Sequence, residues 1–406
     1  MRVRLPSPGL SRRDDLHFMN IAYVTTYDST DIRRWSGTGF HIGKSIEDAG
    51  LKVFRIGDLR PRRTLVNGIA HLWHSRVRGK RDHAHRHPSV LRSYADQVSN
   101  RLDLLAREGN RIDAILSPGT LPVAYLETDI PIAIWTDCTF ASMVGYYQSW
   151  TNLSARSLRM GDDADRRGLR KAARLIFASE WAARSAVDDY QCDRRRIDIV
   201  PLGANVEGGV SAAELETLIP SRLAGPVRLL LIGVDWERKG CAFAIDVLHD
   251  LRRRGLSAQL DIVGCLPPTG YRVPDGVTCH GFMNKRDPAD VAKLRQLLTE
   301  STMLALPTKA ECQGIVFNEA AAFGLPVIAP DTGGVGSVVR NGVTGLLLSP
   351  TSNSLEWAAS IAALCSDHAL YRRYARTSLA GFDDRLSWSA AASRVAALLR
   401  NLQRTR

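Results

Sequence analysis

The stretch of sequence that decides the fold is Met303-Leu-Ala-Leu-Pro-Thr-Lys-Ala-Glu311-Cys-Gln-Gly314-Ile-Val-Phe-Asn-Glu319-Ala-Ala-Ala-Phe-Gly324-Leu-Pro-Val-Ile-Ala329. A short apolar run enters it, a polar loop carries Glu311, and a helical pattern begins near Gly314. Gly324 is typical of a helix end, and the proline that follows precedes a second buried run. The stretch therefore predicts a strand, a loop, a helix and a second strand in succession.

The same stretch predicts a ligand. Its helix would offer backbone N–H groups and the positive end of its dipole to an anion. Glu319 would lie about one turn inside that helix, where a carboxylate repels a phosphate but accepts hydrogen bonds from neutral hydroxyls. A phosphate beside a polyol describes a nucleotide sugar, so we expect a ligand of that class.

Length and composition are those of a soluble globular protein. The 406 residues are enough for two domains, and the chain is 45% hydrophobic and 24% charged. No apolar run approaches the roughly 20 residues that span a bilayer. Residues 1–18 are basic and polar without the apolar core of a signal peptide, so we expect a disordered leader, with Met19 as an alternative start.

The seven cysteines are odd in number, scattered, and never in the CxxC spacing of a metal or redox motif. This usage is typical of a cytosolic protein, so we expect reduced core thiols and no metal site. The cysteines are Cys138, Cys192, Cys241, Cys265, Cys279, Cys312 and Cys365.

The net charge of +12 is uneven, because residues 1–200 contain 32 Lys and Arg against 23 Asp and Glu, a balance of +9. The densest segment, residues 60–92, holds nine Lys and Arg, one acid and five of the ten histidines. One interpretation is a solvated excursion. The other is a surface for an anionic acceptor or anionic lipid, which would place a cytoplasmic protein at the inner face of the cell membrane. No nucleic-acid motif accompanies the charge, so we expect no such partner.

Apolar runs alternate with helical patterns along the whole chain, which indicates parallel sheets with helices on both faces. The first series of predicted strands is Ile21–Thr25, Lys52–Ile56, Ala114–Leu116, Ile132–Thr136, Leu175–Ala178 and Asp198–Pro201. The second series is Arg228–Gly233, Gln259–Gly264, Val277–Gly281, Met303–Leu306, Val327–Ala329 and Gly345–Leu348. Predicted helices include Thr38–Ala49, Ser89–Ala106, Glu180–Tyr190, Ala242–Arg253 and Ala289–Leu298.

The two series predict an α/β protein of two doubly wound domains. We expect an N-terminal domain over residues 19–205 and a C-terminal domain over residues 206–388, joined at the turn-rich segment 203–210. The final helix, within residues 389–406, is expected to pack back on the N-terminal domain.

A glycine loop, Gly37-Thr38-Gly39-Phe-His-Ile-Gly43, follows the first strand, and Asp58 lies further along. The pattern imitates a dinucleotide-binding fingerprint. Residues 27–36 separate Gly37 from its strand, however, whereas the fingerprint glycine follows its strand at once. This placement disfavours NAD but leaves the loop as a candidate wall of a cleft.

The second domain opens with Leu231-Ile-Gly233-Val-Asp-Trp-Glu-Arg238-Lys239-Gly240. A lysine beside a glycine suits a phosphate, because the glycine allows close approach and the ammonium is a compact charge. A departing diphosphate requires such cations, since negative charge grows on it as the bond breaks. A solvated basic turn is the alternative.

Three signals are weaker. Asp137, just past a predicted strand, is either a site residue or a helix N-cap. The aromatic cluster of Tyr146, Tyr147 and Trp150 suits either a sugar or a core. The glycine turn around Gly334 either brings backbone amides near a ligand or is a tight connection.

Together the motifs resemble the retaining GT-B glycosyltransferases of family four, the group 1 glycosyltransferases. The matching pieces are Gly233…Lys239-Gly240, His280-Gly281-Phe-Met-Asn284-Lys, Glu311-x7-Glu319-Ala…Gly324-Leu-Pro-Val-Ile-Ala, Gly333-Gly334, and Asn341-Gly-x-Thr-Gly345-Leu-Leu. Val200-Pro-Leu-Gly203-Ala-Asn205 resembles the interdomain segment of that family. The resemblance runs from about residue 20 to residue 388 and is looser in the N-terminal half.

The family implies two Rossmann-like domains facing each other across a cleft, a donor sugar held mostly by the C-terminal half, and transfer with retention, without a metal or a cofactor. In this sequence, Lys239 and Arg238 would hold the donor diphosphate. Glu319 would accept from the ribose hydroxyls, and Glu311 would contact the donor sugar. The other implied donor contacts are Gly37, Thr38 and Gly39 from the first domain, and Gly233, Phe282, Asn284, Gly314, Ile315 and Val316 from the second.

Two departures from the family pattern affect these assignments. Val234 stands where many members have an arginine, so Arg238 would serve instead. Many members place a histidine of the first domain near the sugar, whereas the comparable turn here offers Asp137, whose catalytic role is therefore open.

The resemblance thus implies transfer of a hexose-type sugar from a nucleoside diphosphate to a hydroxyl acceptor, in cell-surface polysaccharide or glycolipid assembly. Three alternatives stay open: a nucleotide-sugar epimerase on the same fold, a nicotinamide oxidoreductase, and a nucleotide-sugar-binding protein without turnover.

Overall fold

The computed structural model describes residues 19–62, 79–206 and 208–404. Within these residues, twelve strands form two parallel six-stranded sheets. The first contains β1 (Asn20–Val24), β2 (Lys52–Ile56), β3 (Ala114–Ser117), β4 (Ile132–Thr136), β5 (Arg174–Phe177) and β6 (Ile197–Ile199). The second contains β7 (Val227–Ile232), β8 (Ala258–Val263), β9 (Val277–Gly281), β10 (Met303–Ala305), β11 (Val327–Pro330) and β12 (Gly345–Leu348).

Both sheets reverse their strand order near the middle. The first has the order β2-β1-β3-β4-β5-β6, and the second has the order β12-β11-β10-β7-β8-β9. The reversals fall between β1 and β3 and between β7 and β10, where connections leave in opposite directions and open a crevice at the carboxyl ends of the strands. Two doubly wound domains, as predicted, are therefore confirmed.

Helices cover the sheets. They are α1 (Thr38–Asp48), α2 (Pro88–Arg107), α3 (Phe140–Met143), α4 (Ala155–Lys171), α5 (Glu180–Asp188), α6 (Ala212–Leu223), α7 (Cys241–Arg253), α8 (Pro288–Glu300), α9 (Ile315–Ala322), α10 (Ser354–Ser366), α11 (His368–Gly381) and α12 (Trp388–Arg404). The bounds of the predicted strands and helices differ from the observed ones by no more than two residues.

Apolar side chains of the strands form the cores. One core on each face of the first sheet is built from residues such as Ile115 and Trp135, and the second domain is filled around residues such as Leu230 and Ile328. Strands that are buried on both faces read as continuous apolar runs, which explains why the sequence shows them so clearly.

The last helix, α12, returns to the N-terminal domain. Its Ala391, Val395 and Leu399 are fully buried, and they share a core with Ile42 and Ile46 of α1. The chain therefore crosses between the domains twice, once near residue 205 and once before Trp388. In the three described ranges, no helix combines the length and the apolar character needed to cross a bilayer. The predicted leader, residues 1–18, lies outside the described residues.

Candidate active site

A cleft of about 620 Å³ lies between the two domains. Its walls are formed by the loops that leave the carboxyl ends of β1, β4, β7, β8, β9 and β10. A volume of this size is typical of a site for a small organic ligand. The predicted site residues that line the cleft are Gly37, Thr38, Asp137, Gly233, Arg238, Lys239, Phe282, Asn284, Glu311, Gly314, Ile315, Val316 and Glu319.

The strand order explains why residues distant in sequence meet here. β7 and β10 are neighbours at the reversal point of the second sheet, so their following loops lie side by side. The first loop carries Arg238 and Lys239, and the second carries Glu311. The start of α9 lies just beyond Glu311, and the first N–H groups of a helix have no intrahelical acceptor. The crevice thus combines two cations, a carboxylate and a helix N-terminus.

The charges at this point are paired with each other. The Lys239 ammonium donates to Oε1 of Glu311, and Nη1 of Arg238 donates to the same oxygen at 3.1 Å. The Thr308 hydroxyl donates a third hydrogen bond to it at 3.1 Å. The Lys239 and Glu311 side chains are only 9% and 8% exposed. Arg238 also forms an ion pair with Asp235, whose side chain is half exposed, at 3.8 Å. An incoming anion would therefore compete with these carboxylates for the two cations.

Glu319 has its own cation. Its side chain is 4% exposed, and Oε1 accepts a hydrogen bond from the Lys285 ammonium at 2.5 Å. Lys285 also donates to the carbonyl of Asn205 in the interdomain segment, at 2.9 Å. A buried carboxylate needs such a partner. Ribose hydroxyls that bound Glu319 would therefore share it with Lys285 or displace that side chain.

The N-terminal domain braces the Glu311 loop. Backbone N–H groups of Glu311 and Cys312 donate to the hydroxyls of Tyr146 at 2.9 Å and Tyr147 at 3.1 Å. The Arg238 guanidinium lies over the Tyr147 ring, 5.4 Å from its centroid. Burial is the main cause that raises the pKa of the Tyr147 hydroxyl. Tyr146 and Tyr147 of the aromatic cluster thus form an interdomain contact, whereas Trp150 packs on Phe140 within the N-terminal domain.

The glycine turn at residues 333–336 also supports this loop. The Gly334 N–H donates to the Glu311 carbonyl at 3.0 Å, and a Cβ at Gly334 would lie 1.8 Å from the Cys312 carbonyl oxygen. A side chain at residue 334 would therefore push the loop away. Of the two interpretations of this turn, the tight connection is the one the structure supports.

Two amides in the deciding stretch connect it to the interdomain segment. The Gln313 side chain accepts from the Leu202 N–H at 2.8 Å and donates to the Leu202 carbonyl at 3.0 Å. Asn318 donates to the same carbonyl at 2.5 Å. Both side chains are buried. Gln313 and Asn318 were not among the predicted site residues, although their position between Glu311 and Glu319 could have indicated a role at the site.

Gly39 is the predicted site residue that does not line the cleft. It lies in α1, where a Cβ would come within 2.2 Å of the Tyr27 hydroxyl. Its expected contact with a diphosphate stays a prediction. Gly43 likewise packs against the Arg55 guanidinium, 2.4 Å from a built Cβ. The close approach of the Tyr27 and Arg55 side chains to α1 thus explains why Gly39 and Gly43 are glycines.

Asp137 lines the same cleft as Glu311. The N-cap residue of α3 is Thr139, whose hydroxyl accepts a hydrogen bond from the Ser142 N–H. The N-cap interpretation of Asp137 is therefore wrong. Burial is the main cause that raises the Asp137 pKa, a hydrogen bond from the Cys138 thiol opposes it, and the charge of Glu311 adds to it. The turn thus places a second carboxyl group near Glu311.

His41 lines the cleft and escaped the sequence analysis. Its ring stacks on Trp388, with ring centroids 5.8 Å apart. Burial lowers the His41 pKa to about 4, and the nearby charges of Lys285 and Lys44 add to the effect. The imidazole is therefore neutral at pH 7 and offers one donor and one acceptor to a ligand.

Comparison with known proteins identifies the C-terminal domain. Residues 226–367 match the family model described as Glycosyl transferases group 1. D-inositol 3-phosphate glycosyltransferase of Nocardia farcinica is 31% identical over 217 residues, which is 50% of this chain and 47% of that protein. The chain thus spans about half the length of the curated relatives it matches most clearly.

Solved structures show the same fold along nearly the whole chain. Sucrose-phosphate synthase from Thermosynechococcus elongatus superposes with a TM-score of 0.65 at 16% identity, over 96% of this chain and 100% of that chain. Anabaena HepE, in complex with UDP and glucose, superposes with a TM-score of 0.59 at 17% identity, over 94% and 99% of the two chains. The predicted GT-B fold is therefore confirmed, and within the C-terminal domain residues 226–367 are similar to the group 1 glycosyltransferases.

Proposed function

We propose that the protein is a retaining, metal-independent glycosyltransferase that moves a hexose-type sugar from a nucleoside diphosphate to a hydroxyl acceptor. One observation carries the proposal: Arg238, Lys239 and Glu311 meet at the start of α9, with Glu319 about one turn further, in one interdomain cleft. This set offers a carboxylate for a sugar, two cations for a diphosphate and a second carboxylate for a ribose, which are three successive parts of a nucleotide sugar.

Lys239 and Arg238 would help the diphosphate to leave. As the glycosidic bond breaks, negative charge grows on the leaving phosphate, and Lys239 and Arg238 stabilise it without a metal. Glu311, which pairs with both cations in the ligand-free protein, would exchange them for hydroxyls of the donor sugar. When the donor binds, Lys239 and Arg238 would thus exchange the Glu311 carboxylate for the diphosphate.

Retention follows from attack on the face that the leaving group vacates. The leaving phosphate would accept the proton of the acceptor hydroxyl, so the protein needs to hold donor and acceptor together rather than provide a nucleophile. Asp137 and His41 line the cleft from the N-terminal domain, the half to which the family resemblance assigns the acceptor. Their proposed role is to orient hydroxyl groups there.

Uridine is the first donor base to test, because UDP and glucose are the ligands named for the structural neighbour HepE. The base would lie against Phe282 and Asn284 at the outer end of the cleft. Phe282 is 73% exposed and therefore free to receive a planar ring.

An acceptor at a membrane surface is the second part of the proposal, placed in polysaccharide or glycolipid assembly at the inner face of the cell membrane. Its support is the basic segment 60–92, of which residues 63–78 lie outside the described residues. Lys80, Arg81 and Arg92 are exposed, whereas Arg86 packs over Phe140, 4.8 Å from the ring centroid. Binding to vesicles with and without anionic lipid tests this part, and equal binding to both would contradict it.

The test of the function is release of nucleoside diphosphate from a panel of nucleotide sugars, with and without hydroxyl acceptors, in buffer containing EDTA. The proposal predicts release that rises with acceptor, and a product whose anomeric configuration by NMR is that of the donor. An epimerase would instead interconvert the sugar without any acceptor. A binding protein would bind a donor and consume none.

A further inference from the structure

Two cysteines from different domains meet beside the cleft. Cys138 follows β4 of the N-terminal domain, and Cys312 lies in the loop after β10 of the C-terminal domain. Their sulfur atoms and a carboxylate oxygen of Asp137 all lie within 4.8 Å of one another. Cys312 is buried and Cys138 is partly buried, and the pair lies where the two domains meet.

The surroundings hold the two thiols in place. Cys312 donates its N–H to the Tyr147 hydroxyl at 3.1 Å, and its Sγ lies 3.4 Å from Sδ of Met143. Both Met143 and Tyr147 belong to the N-terminal domain, so Cys312 is one of the residues through which the two domains touch. Each cysteine also directly follows a candidate site residue, Asp137 in one case and Glu311 in the other.

We propose that Cys138 and Cys312 form a reversible disulfide that joins the two domains and closes the cleft to turnover. A disulfide requires sulfur atoms about 2.05 Å apart, and Cβ atoms about 3.5–4.5 Å apart. The two sulfur atoms already lie within 4.8 Å of each other, so a bond requires them to approach by less than about 3 Å. Cys312 lines the cleft with 6% of its surface exposed, so the cleft is the route by which a small oxidant would reach the pair.

The chemistry is thiol–disulfide exchange with a small disulfide such as oxidised glutathione. The thiolate of one cysteine attacks the glutathione disulfide, forms a mixed disulfide and releases one glutathione thiol. The second cysteine then attacks the protein sulfur of that mixed disulfide and releases the other glutathione. Two protein thiols are oxidised, one disulfide is reduced to two thiols, and both protein protons leave with the glutathione.

A second thiol pair provides a contrast. Sγ atoms of Cys241 and Cys265 lie 3.7 Å apart, but both residues belong to the C-terminal domain. A bond between them would not cross the cleft. Interfaces between domains of one chain normally permit relative motion, and a covalent bond across this one would remove that freedom.

The first test is chemical and does not depend on the proposed function. The full chain is equilibrated with oxidised glutathione, alkylated, and digested without reductant for mass spectrometry. We expect a peptide pair joined through Cys138 and Cys312, lost in Cys138→Ser and in Cys312→Ser, and retained in the matched control Cys365→Ser. Alkylation of both cysteines in the oxidised protein, or a Cys241–Cys265 bond in their place, would overturn the proposal.

The second test measures turnover of the donor, which rests on the proposed function. We expect oxidation to lower turnover at least tenfold, dithiothreitol to restore it, and the turnover of Cys138→Ser to be the same before and after oxidation. A cross-link that leaves turnover unchanged would overturn the closure. A cross-link in a protein whose reduced form shows no turnover would instead contradict the proposed function, because the disulfide would have formed without it.

Discussion

Lys239 and Glu311 form a buried ion pair at the reversal point of the second sheet, with both side chains less than 10% exposed. Residues 72 positions apart meet because β7 and β10 are neighbours. A pair of this kind contributes little net stability when its desolvation is included, whereas one of its members alone in the interior is costly. We propose that the pair marks a site for an anion, in which a phosphate oxygen replaces the Glu311 carboxylate beside Lys239.

Replacement of Glu311 by glutamine tests this exchange of partners. The Glu311→Gln variant keeps the shape of the side chain and removes the charge that competes with the diphosphate. A like charge about 4 Å from the phosphate costs up to about 4 kcal/mol near a protein surface. We therefore expect at least tenfold tighter binding of nucleoside diphosphate by calorimetry, together with slower transfer. The Glu237→Gln control, with a 77% exposed side chain, should change neither. Weaker nucleotide binding in Glu311→Gln would contradict the exchange.

Glu319 is expected to recognise ribose hydroxyls. Loss of a hydrogen bond to a charged group costs about 1.5–3 kcal/mol, so Glu319→Gln should weaken nucleoside diphosphate binding roughly 10- to 150-fold. The 2′-deoxy and 3′-deoxy nucleotides should show a similar loss with the unmodified protein and little further loss with the variant, because the same interaction is removed twice. Independent, additive losses from variant and deoxynucleotide would place the ribose elsewhere.

The lowered pKa of His41 predicts that the folded state loses stability in acid. Burial and two lysines lower its pKa from 6.5 to about 4, so the folded state binds its proton less readily than the unfolded state does. The stability that depends on neutral His41 is complete above pH 6.5 and is lost as the pH falls toward 4. Denaturant unfolding between pH 4 and 7 should show a shallower decline for His41→Gln than for the unmodified protein. The exposed control His249→Gln should keep the full slope. Parallel curves for all three proteins would contradict the burial of His41.

For Asp137, the expected dependence of folding stability on pH has the opposite sign to that for His41. Burial raises its pKa, so the ionised form is disfavoured in the folded state. The resulting penalty is absent below the unfolded value of 3.8 and grows as the pH rises through the folded value. Asp137→Asn should therefore raise the Tm at pH 7, and this gain should shrink at pH 4. If Asp137 orients the acceptor, the same variant loses turnover. A lower Tm at pH 7 would show that the carboxylate stabilises the fold.

The fold could be predicted largely from the apolar runs. Strands buried on both faces, such as β4 and β7, read as continuous apolar segments, and every predicted strand is present. The long helix α4 was not among the predicted helices, because its sequence is dominated by charged residues. Only one face of it is apolar, with Met160, Ala164 and Leu169 buried.

The site could be predicted where its parts are close in sequence. Glu311, Gly314 and Glu319 share one strand-loop-helix unit, so their spacing alone placed them around a helix start. The contacts of Tyr146 and Tyr147 join residues 165 positions apart, and no local pattern contains them. The same holds for Cys138 and Cys312, whose proximity depends on how the two domains meet. The glycine loop is ambiguous at Gly39, since close packing and ligand approach both select glycine.

The most direct test of the account is nucleotide binding by Lys239→Ala, followed as a thermal shift with a panel of nucleoside diphosphates. A ligand at 100 times its Kd stabilises the fold by about 2.7 kcal/mol, so at least one member should raise the Tm of the unmodified protein. The account predicts that Lys239→Ala loses this shift, while the control Lys309→Ala, with a 68% exposed side chain, keeps it. A panel without any shift, or an equal shift in Lys239→Ala, would contradict the placement of a nucleotide sugar in this cleft.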